Sequence, residues 1–397
     1  MNWNKFSVED RSIPTITGFA VVLVLASLYM QSMLVLFLAV FFLLMVLINF
    51  FYFRNIGERL FLQENSKKQC FFIKEKGDWN FSFENKGWPI LNAELTVFFD
   101  HYTNPENEGK EPTFDLYEVR IPFSIFTNHL KDISIPFKAS RRGIARIRKL
   151  EIRIPSLFGF GEMLLENRML LEQKVVVYPQ PITVKGLNEF MTAIQGNNPV
   201  PFSVYEDRQG PLGTRDYLST DSFNRIHWKA SARKQHLQTK VYERIAEKGC
   251  TISINVSDGY AITSNLEKLL SSVTEFAYFA YSKQLPYSLC INVRTAGSTP
   301  FYYIPKGEGK EHLQNVLETL SSIDYRNTTF PYEKMLSFYN RHYLAQPYFI
   351  HGGNKTAAQE VIFVEMQRKG SNILEFNIKE NHVVLSRLER LEGRVRL

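Results

Sequence analysis

Between residues 213 and 233 the chain reads GTRDYLSTDSFNRIHWKASAR, which sets two carboxylates, Asp216 and Asp221, among Arg215, Arg225, Lys229 and Arg233, with Tyr217 and Trp228 in their midst. A planar guanidinium pairs with a carboxylate through two parallel hydrogen bonds, so such a cluster can lock a loop across a domain junction, with Trp228 as the apolar anchor of the lock. The same cations turned outward can instead bind a phosphate or an acidic partner loop. A helix beginning near Ser222, capped by Asp221 or Thr220, would put Ile226, Lys229, Ala230 and Arg233 on one face. Arg225, Trp228 and Ala232 would share an adjacent face, with Arg225 and Arg233 two turns apart and Asp216 or Asp221 within reach.

Elsewhere the residues that carry chemistry are sparse. HGGNKT, with Gly352, Gly353, Lys355 and Thr356, lacks the spacing of a phosphate-binding loop and reads as a left-handed turn followed by a helix start. FGFGE, around Gly159 and Gly161, reads as a turn. His227 and His236 belong to no H-E-x-x-H or Cys/His set and are expected at the surface or in loops. No G-x-S-x-G occurs, and Cys70, Cys250 and Cys290 form no C-x-x-C pair, which suits reduced core thiols. A formal charge of +7 over 397 residues is dilute, and no aromatic and basic module of a nucleic-acid fold is present.

Periodicity suggests the elements that position these residues. Residues 13–53 contain no Asp, Glu, Lys or Arg, about twice the roughly 20 residues that one spanning helix needs. They read as a transmembrane helical hairpin in the lipid bilayer, turning near Gln31 and Ser32. The short apolar core and small-residue cleavage site of a signal peptide do not fit. Lys5 and Arg11 precede the pair, Arg54, Arg59, Lys67 and Lys68 follow it, and the turn is uncharged. The positive-inside rule then places both ends and the soluble domains in the cytoplasm of a two-pass membrane protein.

From about 69 to 180, strand-like runs follow one another with no helical stretch between them, which predicts an antiparallel β-sandwich of immunoglobulin-like type. Within it RRGIARIRKLEIRIP carries Arg141, Arg142, Arg146, Arg148, Lys149 and Arg153. Alternation sets Arg146, Arg148 and Lys149 largely opposite Ile144, Ile147 and Leu150, with a slip in the period between them. That face is a solvated strand surface or a docking surface for anionic headgroups. From about 250 strands and helices alternate, predicting an α/β domain with a mostly parallel sheet covered on both faces. In NLEKLLSSVTEFAYFAYSKQ, Leu266, Leu269, Leu270, Val273, Phe276, Ala277 and Ala280 share one helical face.

The central stretch resembles the hallmark of a bacterial family, domain of unknown function 58. The matching positions are Arg215, Tyr217, Asp221, Arg225, Ile226, Trp228, Lys229, Ala232 and Arg233, with Thr220 where the family usually has glycine. The apolar amino terminus, the basic run with its FGFGE turn, and VVVYPQP resemble the family's upstream region. The resemblance implies a β-sandwich joined to a von Willebrand factor A-like α/β domain, and an accessory or adaptor protein often associated with MoxR-type AAA+ ATPases. The metal site of that fold uses D-x-S-x-S, and the aligned NVSDG offers Asn255, Ser257 and Gly259. Loss of the first carboxylate and last hydroxyl leaves a poor ligand set for a hard cation, so no metal and no cofactor are expected.

The expected organisation is therefore a helical hairpin over 1–55, a β-sandwich over 56–182, the motif and linker over 183–245, and the α/β domain over 246–397. The leading functional reading is a non-enzymatic, membrane-anchored adaptor working with a MoxR-type AAA+ ATPase or its client in the cell envelope. The alternative is an enzyme or small-anion binder using Asp221, Arg225, Lys229 and Arg233. A third reading is a lipid-sensing scaffold centred on Arg141 to Arg153.

Overall fold

The computed structural model describes residues 3–8, 12–63, 68–106, 115–159, 161–167, 171–195, 206–244, 249–259, 261–343, 346–379 and 382–388. The chain divides into two compact units, Met1–Tyr178 and Pro179–Leu397.

Two helices, Ser12–Met30 and Met33–Asn55, open the first unit, and Gln31 between them takes a left-handed φ of 50°. Both are apolar all round, as expected of helices without an aqueous face. Phe19 meets Phe42 edge to face across the pair, while Leu28, Phe37 and Phe50 stand exposed. Met33–Asn55 is long and apolar enough to cross a membrane, and its neighbour is a shorter apolar helix.

Both flanks of the helix pair enter β structure. Asn4–Val8 pairs antiparallel with Glu162–Asn167, and Leu60–Gln63 pairs with Lys76–Asn85. Residues 1–55, expected to form the hairpin alone, thus include a strand of the β unit; five residues alternate too briefly to announce it. Lys5 Nζ donates to the Arg54 carbonyl at 2.9 Å, where the carbonyl end of a helix favours a cation. Trp3 Nε1 donates to the Leu60 carbonyl at 3.0 Å. Arg11 and Lys67, two of the flanking cations, lie outside the described residues.

One sheet runs in the order Asn4–Val8, Glu162–Asn167, Gly143–Pro155, Lys174–Tyr178, Gln69–Phe72, and Ile90–Asp100 joins Gly143–Pro155 to Leu116–Ile125. The other runs Leu60–Gln63, Lys76–Asn85, His129–Ala139, Thr103–Pro105. Alternation turns Trp79 and Phe83 inward from the second sheet and Leu95, Val97 and Phe99 inward from the first. The sheets meet where Trp79 packs on Phe99, centroids 6.1 Å apart, and Phe83 on Phe123 at 5.1 Å. Gln69–Phe72 pairs parallel with Lys174–Tyr178, a departure from the all-antiparallel expectation.

In Gly143–Pro155, Arg146 and Arg148 face outward while Ala145 and Ile147 are buried; Ile144 is only half-buried. The period slips at Arg148, the extra residue of a bulge, because Phe98 stands opposite Lys149 and Phe99 opposite Ile147. Arg148 Nε donates to Asp100 at 2.8 Å, Lys149 pairs with Glu151 and Glu166, and Arg153 lies 3.6 Å from Glu162. Much of the basic run is thus neutralised within its own sheet, which weakens its case as a lipid-docking face.

The second unit holds a seven-stranded mixed sheet, in the order Val184–Lys185, Val383–Arg387, Asn372–Ile378, Tyr348–Gly352, Cys250–Ile254, Tyr287–Arg294, Phe301–Gly307. The four strands from Asn372–Ile378 to Tyr287–Arg294 are parallel, Phe301–Gly307 and Val383–Arg387 run antiparallel to their inner neighbours, and the order reverses at Cys250–Ile254. Every residue of that central strand is buried, as a strand covered on both faces must be. Helix Leu266–Ser282 buries Leu266, Leu269, Leu270, Val273, Phe276, Ala277 and Ala280, the face its spacing predicts. Residues expected in a linker join this layer instead: Val184–Lys185 extends the sheet, and helix Leu187–Gln195 sets Phe190 against Phe276 and Tyr348.

Trp79 is wholly buried, and its indole N–H has no partner among the described residues. Trp79→Ala is expected to cost about 3–5 kcal/mol in urea unfolding. Trp79→Phe should cost far less, because it removes a buried donor that lacks an acceptor.

Candidate functional site

The segment from Arg215 to Thr239 closes a separate hairpin of Glu206–Asp216 and Gln238–Arg244. The single helix predicted from Ser222 is replaced by a 3-10 turn, Phe223–Arg225, and a short α-helix, Trp228–Lys234. Ile226 interrupts them because it is buried in an extended conformation and bridges to Thr239. His227, not Asp221, caps the helix, its Nδ1 accepting from the Ala230 amide at 3.1 Å. Arg225 and Arg233 therefore share no helix, and the expected two-turn spacing is not realised.

Asp221 instead ties the turn together. One oxygen accepts from Arg215 Nη2 at 2.5 Å; the other accepts from the Leu218 amide at 3.1 Å and from Thr239 Oγ1 at 3.0 Å. Tyr217 donates its hydroxyl to the Asp221 carbonyl at 3.1 Å. The Arg215 guanidinium, then the Leu218 amide, hold the Asp221 carboxyl below the usual carboxylate range. Asp216 is held low chiefly by the Gln238 amide, with His236 at 3.0 Å. Thr220 adopts no left-handed φ, so this turn does not require glycine there.

What the lock leaves outside differs from the expected anchor. Trp228 is 59% exposed and Phe223 67%, their rings meeting edge to face at 5.5 Å. Leu218 and Leu237 are exposed beside Tyr217, whose amide bonds the Leu237 carbonyl. Lys229 and Arg233 are exposed on the short helix, whereas Arg225 is half-buried and engaged. With Asp221 engaged from three sides, the segment joins an internal lock to an outward aromatic and basic face.

At the carboxyl end of the central strand, where parallel sheets bind ligands, Asn255 Oδ1 accepts from the Ser257 amide at 3.1 Å, Ser257 Oγ at 2.6 Å and Asn292 Nδ2 at 2.9 Å. Asn255 Nδ2 donates to the Asn354 carbonyl, and the Val256 amide donates to Asn292. Gly259 lies farther along, next to the small ladder of Ser257–Asp258 with Ala261–Ile262, at φ 60°. The structure thus unites Asn255 and Ser257 in a neutral network with Asn292. Among the described residues no group of three His, Cys, Asp or Glu is placed to hold a metal ion. HGGNKT is a turn and helix start: Gly353 has φ 105°, Thr356 and Gln359 form a capping box, and Lys355 bonds Glu375 at 2.9 Å.

One buried relay lies beyond the residues weighed from sequence. Tyr332 OH stands 2.9 Å from Ser253 Oγ and 2.7 Å from His351 Nδ1, and His351 Nε2 stands 3.1 Å from the Gly353 carbonyl. The carbonyl can only accept, so Nε2 carries the proton and Nδ1 accepts from Tyr332. The one sequence signal was a histidine inside the apolar run PYFIH. Burial pushes the His351 pKa down to about 4.

Residues 213–374 match the family model described as "Protein of unknown function DUF58". Over that span, which is less than half of its length, the chain is similar to DUF58. The DUF58 match takes in both the hairpin lock and most of the α/β sheet. No curated protein matches the sequence. Among solved structures, the chain is similar to an ASH/PapD-like domain of human CEP192, at 11% identity and TM-score 0.17, over 30% of this chain and 84% of that one. It is also similar to the sporulation control protein Spo0M of Bacillus subtilis, at 13% and 0.17, over 30% and 50%. A family 123 glycoside hydrolase from Clostridium perfringens follows at 9% and 0.17, over 81% and 73%. Likenesses at such scores say nothing of function.

Two outcomes are expected. Asp221→Ala should speed hydrogen exchange at the Leu218 amide and loosen the pairing of Arg215 with Thr239, read by NMR or mass spectrometry. For His351, the unfolded chain takes up a proton near pH 6.5 that the folded unit does not accept until about pH 4. Stability should therefore fall as pH drops through that window and level off below it, by a total on the order of 3 kcal/mol. His351→Gln should flatten this part of the curve in urea unfolding from pH 7 to 4.

Proposed function

We propose that this chain is a membrane-anchored, non-enzymatic adaptor whose DUF58 hairpin presents a docking face to a protein partner. The observation that carries the reading is the division of labour within the hairpin. Asp221, Arg215 and Thr239 satisfy one another, while Phe223, Trp228, Lys229 and Arg233 are exposed. Exposed aromatic rings flanked by cations are what a recognition surface needs, since Trp and Arg dominate binding hot spots. The same geometry argues against the small-anion or enzyme alternative, because Asp221 is already engaged by three donors.

The sheet order, reversing at Cys250–Ile254 with an antiparallel edge at Phe301–Gly307, supports a von Willebrand factor A-like domain. The two sheets of the first unit, joined through aromatic pairs, support an immunoglobulin-like sandwich. A two-pass anchor is supported by the pairing of Asn4–Val8 and Leu60–Gln63, on either side of the helices, within one unit. Chain that folds together must lie on one side of a bilayer, and the flanking cations favour the cytoplasmic side. A MoxR-type AAA+ ATPase is the proposed partner on the strength of the family resemblance.

The test is chemical cross-linking and affinity capture of the full chain from native membranes. Trp228→Ala and Arg233→Ala variants that keep the wild-type circular dichroism spectrum should lose the captured AAA+ ATPase. Equal recovery with wild type would sink the docking face.

A further inference from the structure

The geometry points to a second site, at the base of the helix pair: a cleft formed by Arg59, Lys86 and Trp88 that holds the phosphate of an anionic phospholipid headgroup. This rests on the proposed reading of Met33–Asn55 as a membrane span.

Two turns build the cleft. The chain leaves Met33–Asn55 and bends at Gly57, with φ 73°, where a Cβ would run into the Leu165 side chain. This bend, pressed against the sheet, delivers Arg59. The second turn, Asn85 to Trp88, is held by the wholly buried Asn85 side chain, which accepts from the Gly87 amide at 3.0 Å and donates to the Trp88 carbonyl at 2.8 Å. The turns are pinned together where the Lys86 amide donates to the Arg59 carbonyl at 2.9 Å. Tyr52, near the end of the helix, donates its hydroxyl to the Pro89 carbonyl at 3.2 Å and meets the Trp88 ring edge-on at 6.4 Å. Between the turns opens a cleft of about 470 Å³, lined by Asn55, Glu58, Arg59, Lys86, Trp88 and Thr127 among others.

Position and charge argue for a lipid phosphate. One wall of the cleft, Asn55 to Arg59, lies within four residues of the end of the apolar helix, the depth at which Trp rings and Lys or Arg side chains meet headgroups. Trp88 is 46% exposed, an indole open to the surroundings although fixed at its backbone. Glu58, in the cleft wall, is matched by Lys5 at 3.4 Å, and Glu84 is paired with Lys86 at 2.9 Å and competes with a phosphate for it. Arg59 is exposed and pairs with no carboxylate among the described residues. Lys86 is exposed and Glu84 half-buried, and a pair at the surface is worth little, so Lys86 can turn to a phosphate. A phosphate carried by the bilayer is held at high local concentration beside the cleft, which a free anion is not.

The experiment uses the full chain in nanodiscs containing phosphatidylcholine and phosphatidylglycerol, with co-purified lipid counted by native mass spectrometry. Wild type should retain phosphatidylglycerol over phosphatidylcholine, and Arg59→Gln with Lys86→Gln should lower that retention roughly tenfold. Lys138→Gln is the control. Lys138 pairs opposite Lys76, at the far end of the ladder from the Asn85 turn, and should retain lipid as wild type does. Retention unchanged by the double variant, or equal for the two lipids, overturns the site. If inorganic phosphate alone displaces the lipid at micromolar concentration, the ligand is a free anion and the lipid assignment falls. Carbonate extraction of native membranes reads the span separately: a chain released by carbonate removes the membrane reading and this site with it, whereas a retained chain with no lipid preference removes only the site.

Discussion

The Asp221 carboxylate must be satisfied at a place where three segments of chain cross, and the shape of the hairpin follows from how this is done. Arg215 comes from the end of one strand, Leu218 from the turn, and Thr239 from the returning strand. Holding Thr239 there also holds Ile226 against it, and Ile226 in an extended conformation stops the helix that the neighbouring residues would otherwise form. The chain restarts as helix only at Trp228, with His227 as its cap. Phe223 and Trp228 are left in contact with each other and exposed, which is how an internal lock produces an external face.

The same demand, that a buried polar group find a partner, shapes the centre of the α/β sheet. Asn255, Ser257 and Asn292 exchange hydrogen bonds at the strand end, and Ser253, Tyr332 and His351 do so deeper in. Thr251 and Ser288 meet Tyr339 in a parallel arrangement, so helix Tyr332–His342 is fastened to the sheet by hydroxyl groups as well as by packing. Low dielectric strengthens these bonds and makes any unpaired member costly. A sheet so tied would suit the proposed role of presenting a surface.

In the first unit the corresponding constraint acts at the base of the helices. Lys5 on the first strand reaches the Arg54 carbonyl in the last turn of the second helix, and Trp3 reaches the chain just beyond it. Entry and exit are thereby clasped together, and the turn bearing Arg59 is fixed against the one bearing Trp88. The helix pair and the β strands on either side of it are joined in one unit.

Periodicity alone determined the apolar pair within 13–53, the buried face of Leu266–Ser282, and the slip in the basic strand that becomes a bulge at Arg148, because each depends only on which way neighbouring side chains point. The motif residues were legible through the family resemblance, but the pairing of Asp221 with Arg215, where sequence had set the carboxylates within reach of Arg225 and Arg233, was not. Tertiary structure alone decided what depends on partners distant in sequence. Asn4–Val8 becomes a strand because Glu162–Asn167 is there to pair with it, and Gln69–Phe72 runs parallel because Lys174–Tyr178 presents that edge. Trp228 lies outside the lock because a bridge from Ile226 to Thr239 outweighs the local preference for a continuous helix. His351 is buried and neutral because Tyr332 and Gly353, supplied by a helix and a strand end, satisfy both ring nitrogens. Local pattern sets the face of an element, whereas its partners, and therefore its chemistry, are set by which distant groups can satisfy its hydrogen bonds.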